Sequence, residues 1–231
     1  IRNYFTSYKP DVVGLSAVIS TSYSQVKRIA GIIRKELPNT WIVMGGNLSA
    51  NAEAVLKSTE VDLCVHGDGE IAWIKILDHI IGHPDRKDFR SLPQLNSVSG
   101  VSFLDEQGQI NFSRFGESIS KEDISFPDYE ILMSGLKGHP EEFPNYFKLA
   151  SKSGYLNFND QAQKACEGKS IASLFTTKGC VAKCAFCQRP TKGYKTMSLV
   201  RLDKHVIYLK NNHNVGLLKI LDENFGSDKR H

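Results

Sequence analysis

The segment from residue 11 to residue 82 alternates short apolar runs with stretches of helical periodicity, and this alternation restricts the possible folds more than any other feature of the chain. The run DVVGLSA at 11–17 follows Pro10 and is rich in β-branched residues, as suits a strand buried on both faces. Val26, Ile29, Ala30, Ile33 and Leu37 then recur at helical spacing, and Pro38 ends that helix. TWIVMGG at 40–46 gives a second buried strand. Ser49 is placed as the N-cap of a helix through ANAEAVLKST, and VDLCVHG at 61–67 gives a third strand. Ile71, Ile74, Leu77 and Ile81 mark one face of a further helix. Such an order, with connections of a few residues, predicts a doubly wound α/β sheet whose ligands bind at the carboxyl ends of its strands. Those ends are SAVIST, GGNLSA and HGDGE.

Beyond this segment the pattern breaks and then restarts. GHPDRKDFRSLPQLNS has prolines and charges without periodicity and reads as a linker, and VSGVSFLDEQGQINFSRF reads as a β-hairpin about the turn DEQGQ. Residues 116–169 read only as loops with short helices. SIASLFTTKG is a new strand, Leu199, Leu202, Val206 and Leu209 mark a helix, and VGLLKILDENF is another strand, so the second half restarts as βαβ. The expected domains are 1–82, a linker with a hairpin at 83–164, and 165–231.

Composition excludes several classes. With 41% hydrophobic and 23% charged residues the chain is an ordinary globular one, and no apolar run approaches the roughly 18–20 residues of a membrane helix. The net charge of +4 is scattered among acids, so no nucleic-acid partner is expected. Five cysteines, an odd number in a chain large enough to fold without staples, point to a reducing, cytoplasmic compartment. The chain begins without Met and stops just after a strand-like run, and reads as a fragment.

Three of the cysteines, Cys180, Cys184 and Cys187, stand at C-x3-C-x2-C spacing on the loop after the strand SIASLFTTKG. Thiolates are soft ligands, and three of them on one loop suit a metal centre. Structural zinc prefers two well-separated knuckles, and no second knuckle exists. A 4Fe-4S cluster held by three cysteines leaves one iron open, as a catalytic cluster requires. The stretch Cys180-Val181-Ala182-Lys183-Cys184-Ala185-Phe186-Cys187 resembles the signature of radical S-adenosylmethionine enzymes, including the aromatic residue before the last cysteine. The resemblance implies a (β/α) barrel, of which residues 165–231 would be the opening part. It also implies an open iron that chelates S-adenosylmethionine, and an electron from the cluster that cleaves the sulfonium to a 5′-deoxyadenosyl radical. Phe186 would cover the adenine or the cluster. Asp222, Glu223 and Asn224 lie where this family places groups that bind the methionine ammonium, although many members carry Gly-Gly-Glu there. Arg189, Lys192 and Tyr194 are candidate substrate contacts.

The first half is similar to the cobalamin-binding domains found upstream of many such barrels, which carry Ser-x-Leu and, 26 to 28 residues later, Gly-Gly. Here Ser16-Ala17-Val18 is followed by 26 residues and then Gly45-Gly46, with Val18 in place of Leu. VDLCVHGDGE, containing Gly67 and Glu70, is similar to a further motif of these domains. The resemblance implies a Rossmann-like (flavodoxin-like) domain whose first strand lies before residue 1, with Ser16 bonding the cobalamin tail and the glycines admitting it. His66 reads as a loop residue.

The expected function is that of a cobalamin-dependent radical S-adenosylmethionine enzyme, a methyltransferase at an unactivated carbon, inactive as this fragment alone. Its partners would be a small-molecule substrate and an electron donor of flavodoxin or ferredoxin type. Radical chemistry without methyl transfer is one alternative, and a non-enzymatic module built on structural zinc is another. A methylthiotransferase is disfavoured because only Cys64 and Cys166 remain for a second cluster.

Overall fold

The structure, a computed structural model, describes residues 5, 7–87, 89–136, 138, 146–148, 160–187 and 193–228. Arg189 and Lys192 lie outside the described residues, as does most of 137–159. The chain divides into two compact units, residues 1–119 with 183–192 and residues 120–182 with 193–231.

The first unit is built on a five-stranded sheet in the order β1 to β5. Strands β1 (Val12–Ser16), β2 (Trp41–Gly45) and β3 (Leu63–Val65) are parallel. Strands β4 (Val101–Leu104) and β5 (Ile110–Phe112) form the expected hairpin. The hairpin is part of this sheet, because β4 pairs antiparallel with β3 through Cys64 with Ser102 and Val65 with Val101. Helices α1 (Tyr23–Glu36) and α2 (Ala52–Ser58) cover one face, and α3 (Glu70–Gly82) covers the other. Strand β2 shows why its sequence is a continuous apolar run: Ile42 and Met44 enter the core under α1 and α2, while Trp41 and Val43 enter the core under α3.

Three local readings are corrected. Helix α3 buries Ala72, Ile76 and Ile80, whereas Ile74 and Ile81 of the expected inner face stand 61% and 78% exposed. The helix is apolar around most of its girth, so periodicity did not single out a face. The expected linker contains a 3-10 stretch, Phe89–Ser97, that sends Leu92 and Leu95 into the core under α3. Ser49 is not a helix N-cap: the residue before α2 is Asn51, and the Ser49 hydroxyl donates to the Gly46 carbonyl at 2.7 Å.

At the amino end of β3, Asp62 ties the first unit together. Its carboxylate accepts from Arg34 at 2.8 Å, from Arg86 at 2.9 Å and from the Ile42 amide at 2.8 Å. Arg34 also donates to the carbonyls of Pro38, Thr40 and Glu60, so one guanidinium gathers the end of α1 and the entries to β2 and β3.

In the second unit β6 (Ser170–Leu174) pairs in parallel with β9 (Val215–Ile220), with α6 (Leu199–His213) between them in sequence, the expected βαβ. Asn214 ends α6 in the left-handed conformation, φ 50°, and leads directly into β9. The short helices α4 (Tyr129–Gly135) and α5 (Asp160–Ala165) precede β6, with Asp128 capping α4 through the amides of Glu130 and Ile131. The strand signal SIASLFTTKG divides into β6 and β7 (Thr177–Gly179), and β7 pairs antiparallel with β8 (Tyr194–Thr196).

Candidate functional site

The carboxyl ends of β1, β2 and β3 carry the first set of candidate residues. Ser16 and Gly45, the last residues of their strands, are register partners, and the Ala17 amide continues the ladder to the Gly45 carbonyl at 3.0 Å. The two glycines that follow one another here do different things. Gly46 adopts φ 87°, and a Cβ on it would stand 2.5 Å from the Ala17 carbonyl oxygen, so the backbone crossing itself demands glycine. A Cβ on Gly45 would meet nothing within 4 Å, which leaves the strand end open to a ligand. Val18 and Ile19, on the loop leaving β1, stand 61% and 60% exposed.

At the end of β3, Gly67 turns the chain at φ 78° toward α3, which opens with the exposed Glu70. A carboxylate in the first turn complements the free amides there. The turn is held from behind. Cβ atoms on Gly100 and Gly116 would lie 2.9 Å and 2.8 Å from the His66 carbonyl oxygen, and the buried Asp68 accepts from Ser118 at 3.1 Å. His66 is a loop residue just past β3, and it is buried: it is 7% exposed, its Nε2 lies 2.6 Å from the Ser102 hydroxyl, and its ring packs 5.0 Å from that of Phe112. Burial holds its imidazole below the ordinary histidine value. The sequence held no local signal for this pair, since Ser102 is 36 residues away.

The second set surrounds the cysteine loop, which begins at Cys180 directly after β7, and whose base is closed by β7 and β8 through Gly179 with Tyr194. Cys180 is half-buried and Cys184 and Cys187 are exposed, all three as free thiols. The Cys187 amide donates to the Cys184 carbonyl at 3.1 Å, which makes a tight turn of the C-x2-C segment. Phe186 stands 92% exposed.

The LDEN end of β9 is already engaged. Asp222 accepts from the Thr176 and Thr177 amides at 2.7 and 3.1 Å and from the Thr176 hydroxyl at 2.5 Å. Asn224 donates from Nδ2 to Cys180 Sγ at 3.3 Å, and Glu223 is exposed. The threonines of TTKG, which precede the first cysteine, are thus the anchor of this end, a role that only the distant Asp222 reveals. The two remaining cysteines are withdrawn from ligation. Burial pushes the Cys64 thiol up to about 12, and Cys166 Sγ lies in the interior 3.5 Å from the Gly216 carbonyl.

Cys180, Cys184 and Cys187 are free thiols, the soft donor type that iron-sulfur clusters use. The strand end at Gly45 is open space beside a backbone crossing that only Gly46 permits. Among the described residues no three His, Cys, Asp or Glu side chains are gathered as ligands of a single ion.

The architecture is therefore a Rossmann-like α/β unit with three parallel strands, and a second unit that contains a βαβ. Residues 1–77 match the B12 binding domain family, and the chain carries that domain. Over nearly its whole length the chain is also similar to two methyltransferases and a cyclase. The cytidylyl-2-hydroxyethylphosphonate methyltransferase of Streptomyces wedmorensis is 21% identical over 97% of this chain and 42% of its own length. The anaerobic magnesium-protoporphyrin IX monomethyl ester cyclase of Rubrivivax gelatinosus is 22% identical over 96% of this chain and 35% of its own. In fold the chain matches the radical S-adenosylmethionine methyltransferase TsrM of Kitasatospora setae, with a TM-score of 0.65 at 15% identity, over 97% of this chain and 39% of that one. The chain thus spans 42% or less of the length of these proteins.

Proposed function

We propose that this chain belongs to a cobalamin-dependent radical S-adenosylmethionine methyltransferase acting on an unactivated carbon of a small-molecule substrate. The observation that carries the reading is the union, in one chain, of a B12-binding domain with a C-x3-C-x2-C loop set at a strand end. When bound, the cluster and S-adenosylmethionine supply a substrate radical and cobalamin supplies the methyl group. The protein's own part is to hold, orient and shield. Cys180, Cys184 and Cys187 hold the cluster, and Phe186, exposed just before Cys187, is the apolar side chain available to keep water from it. Of the LDEN residues, Asp222 has both carboxylate oxygens engaged and Asn224 is turned to Cys180. Glu223 is the carboxylate left to accept from the methionine ammonium. Ser16 offers its hydroxyl, Gly45 its open space and Val18 an apolar surface to cobalamin, with Gly46, Gly67 and Glu70 shaping the two strand exits. An electron donor of flavodoxin or ferredoxin type and a reducing, cytoplasmic setting complete the proposal.

Turnover of the full-length protein with methyl-labelled S-adenosylmethionine tests it. Label is expected in the product. Deoxyadenosine formation with no label in the product would instead establish a second reading, radical chemistry without methyl transfer, which the similarity to the Rubrivivax gelatinosus cyclase favours.

A further inference from the structure

We propose that Asn224 is a positioning residue that raises the reduction potential of the cluster held at Cys180, and that Asp222 builds the loop that delivers it. The inference rests on the assignment of Cys180, Cys184 and Cys187 as cluster ligands.

Cys180 is the half-buried member of the three, and its sulfur receives two N–H groups, from the Ala182 amide at 3.4 Å and from Asn224 Nδ2 at 3.3 Å. A ligating thiolate is an acceptor only, so the amide of Asn224 presents its N–H to the sulfur and keeps its oxygen away. Donors to a ligand sulfur draw electron density from the metal and stabilise the extra negative charge of the reduced cluster, which moves its potential upward.

The geometry is built rather than incidental. Asn224 reaches Cys180 across 44 residues of sequence, and the strand ends between them are locked in register. Leu174 pairs with Ile220, the Leu221 amide donates to the Leu174 carbonyl at 2.9 Å, and Asp222 then binds both Thr176 and Thr177. Two residues beyond that anchor on one side stands Asn224, and three residues beyond it on the other stands Cys180. Residue type decides the effect. An aspartate at this position would offer no N–H and would add a negative charge beside the thiolate, and an aliphatic side chain would offer nothing.

The full-length protein, purified anaerobically with its cluster, is compared with Asn224→Ala, Asn224→Asp and Asn224→Gln by redox titration followed by electron paramagnetic resonance. Iron and sulfide are measured for each protein. The alanine variant is expected to keep the wild-type iron and sulfide content and to shift the midpoint to more negative potential. The aspartate variant shifts it further, and glutamine, which retains the donor, recovers part of the difference. A midpoint unchanged in both the alanine and aspartate variants overturns the inference, and so does loss of iron from both, because the contact would then be needed for assembly rather than for tuning. A wild-type protein that holds no iron or sulfide defeats the cluster assignment itself, so the two failures are told apart.

Discussion

Gly45 and Gly46 are neighbours in sequence with separate physical tasks, and substitution separates them. Gly46 combines a left-handed φ with a Cβ position inside the contact distance of Ala17, so Gly46→Ala is expected to cost about 3 kcal/mol of stability, measured by urea unfolding. Gly45→Ala fills open space and should change stability by no more than about 1 kcal/mol. It should nevertheless weaken cobalamin binding by about tenfold, or about 1.4 kcal/mol, read by retention of the cofactor's visible absorption. Equal losses of stability in the two variants would contradict the division of labour. His66 supplies a prediction in pH. Burial lowers its folded value below the ordinary one of about 6.5, so between those two values the unfolded chain binds more protons than the folded one. Stability is therefore complete above about pH 6.5 and falls as the pH drops toward the folded value. His79, His205 and His213 are lowered by burial as well and steepen the same slope. Tm is expected to fall between about pH 7.5 and about pH 5.5, less steeply in His66→Gln; a Tm that rises over that interval would contradict the assignment.

Among the elements, the strands of the parallel sheet were legible because strands buried on both faces must be apolar throughout, and helix α1 because one-sided burial leaves a period. The hairpin was legible in itself, from its turn and two apolar arms, but its attachment to β3 was not, since strand pairing is decided by partners far away in sequence. Helix α3 was found and its inner face was misread, because apolar residues on several sides leave the choice to packing with Leu92, Leu95 and Val98. The cysteine loop was legible from the spacing of Cys180, Cys184 and Cys187 alone. Its anchor was not: Thr176 and Asp222 are 46 residues apart and look like ordinary loop residues. Two buried or half-buried carboxylates hold these elements together and give matching predictions. Asp62→Ala leaves Arg34 and Arg86 without their shared anion and should cost about 3–5 kcal/mol by urea unfolding. Asp222→Ala should cost about 2 kcal/mol and disorder the exit of β6, which hydrogen exchange at the amides of Thr176 and Thr177 would report.

At the scale of the molecule, the two candidate cofactor sites share one construction. Each lies where parallel strands end, and each uses small or polar residues to fix the backbone so that a neighbouring position is left free for a ligand. Gly46 does this for Gly45, and Asp222 does it for Asn224 and Cys180. Among the described residues no helix is long and apolar enough to cross a membrane. Cys184→Ala removes one of three thiolates and should abolish retention of the cluster while leaving the first sheet, and with it cobalamin binding, intact. The most direct measurement of the central claim is the metal and cofactor content of the full-length protein purified without oxygen. Iron and sulfide in equal amounts, together with cobalamin, are expected in the wild type, and the iron and sulfide alone should be missing from the Cys184→Ala variant. A colourless protein that carries zinc and no iron or sulfide would contradict the account.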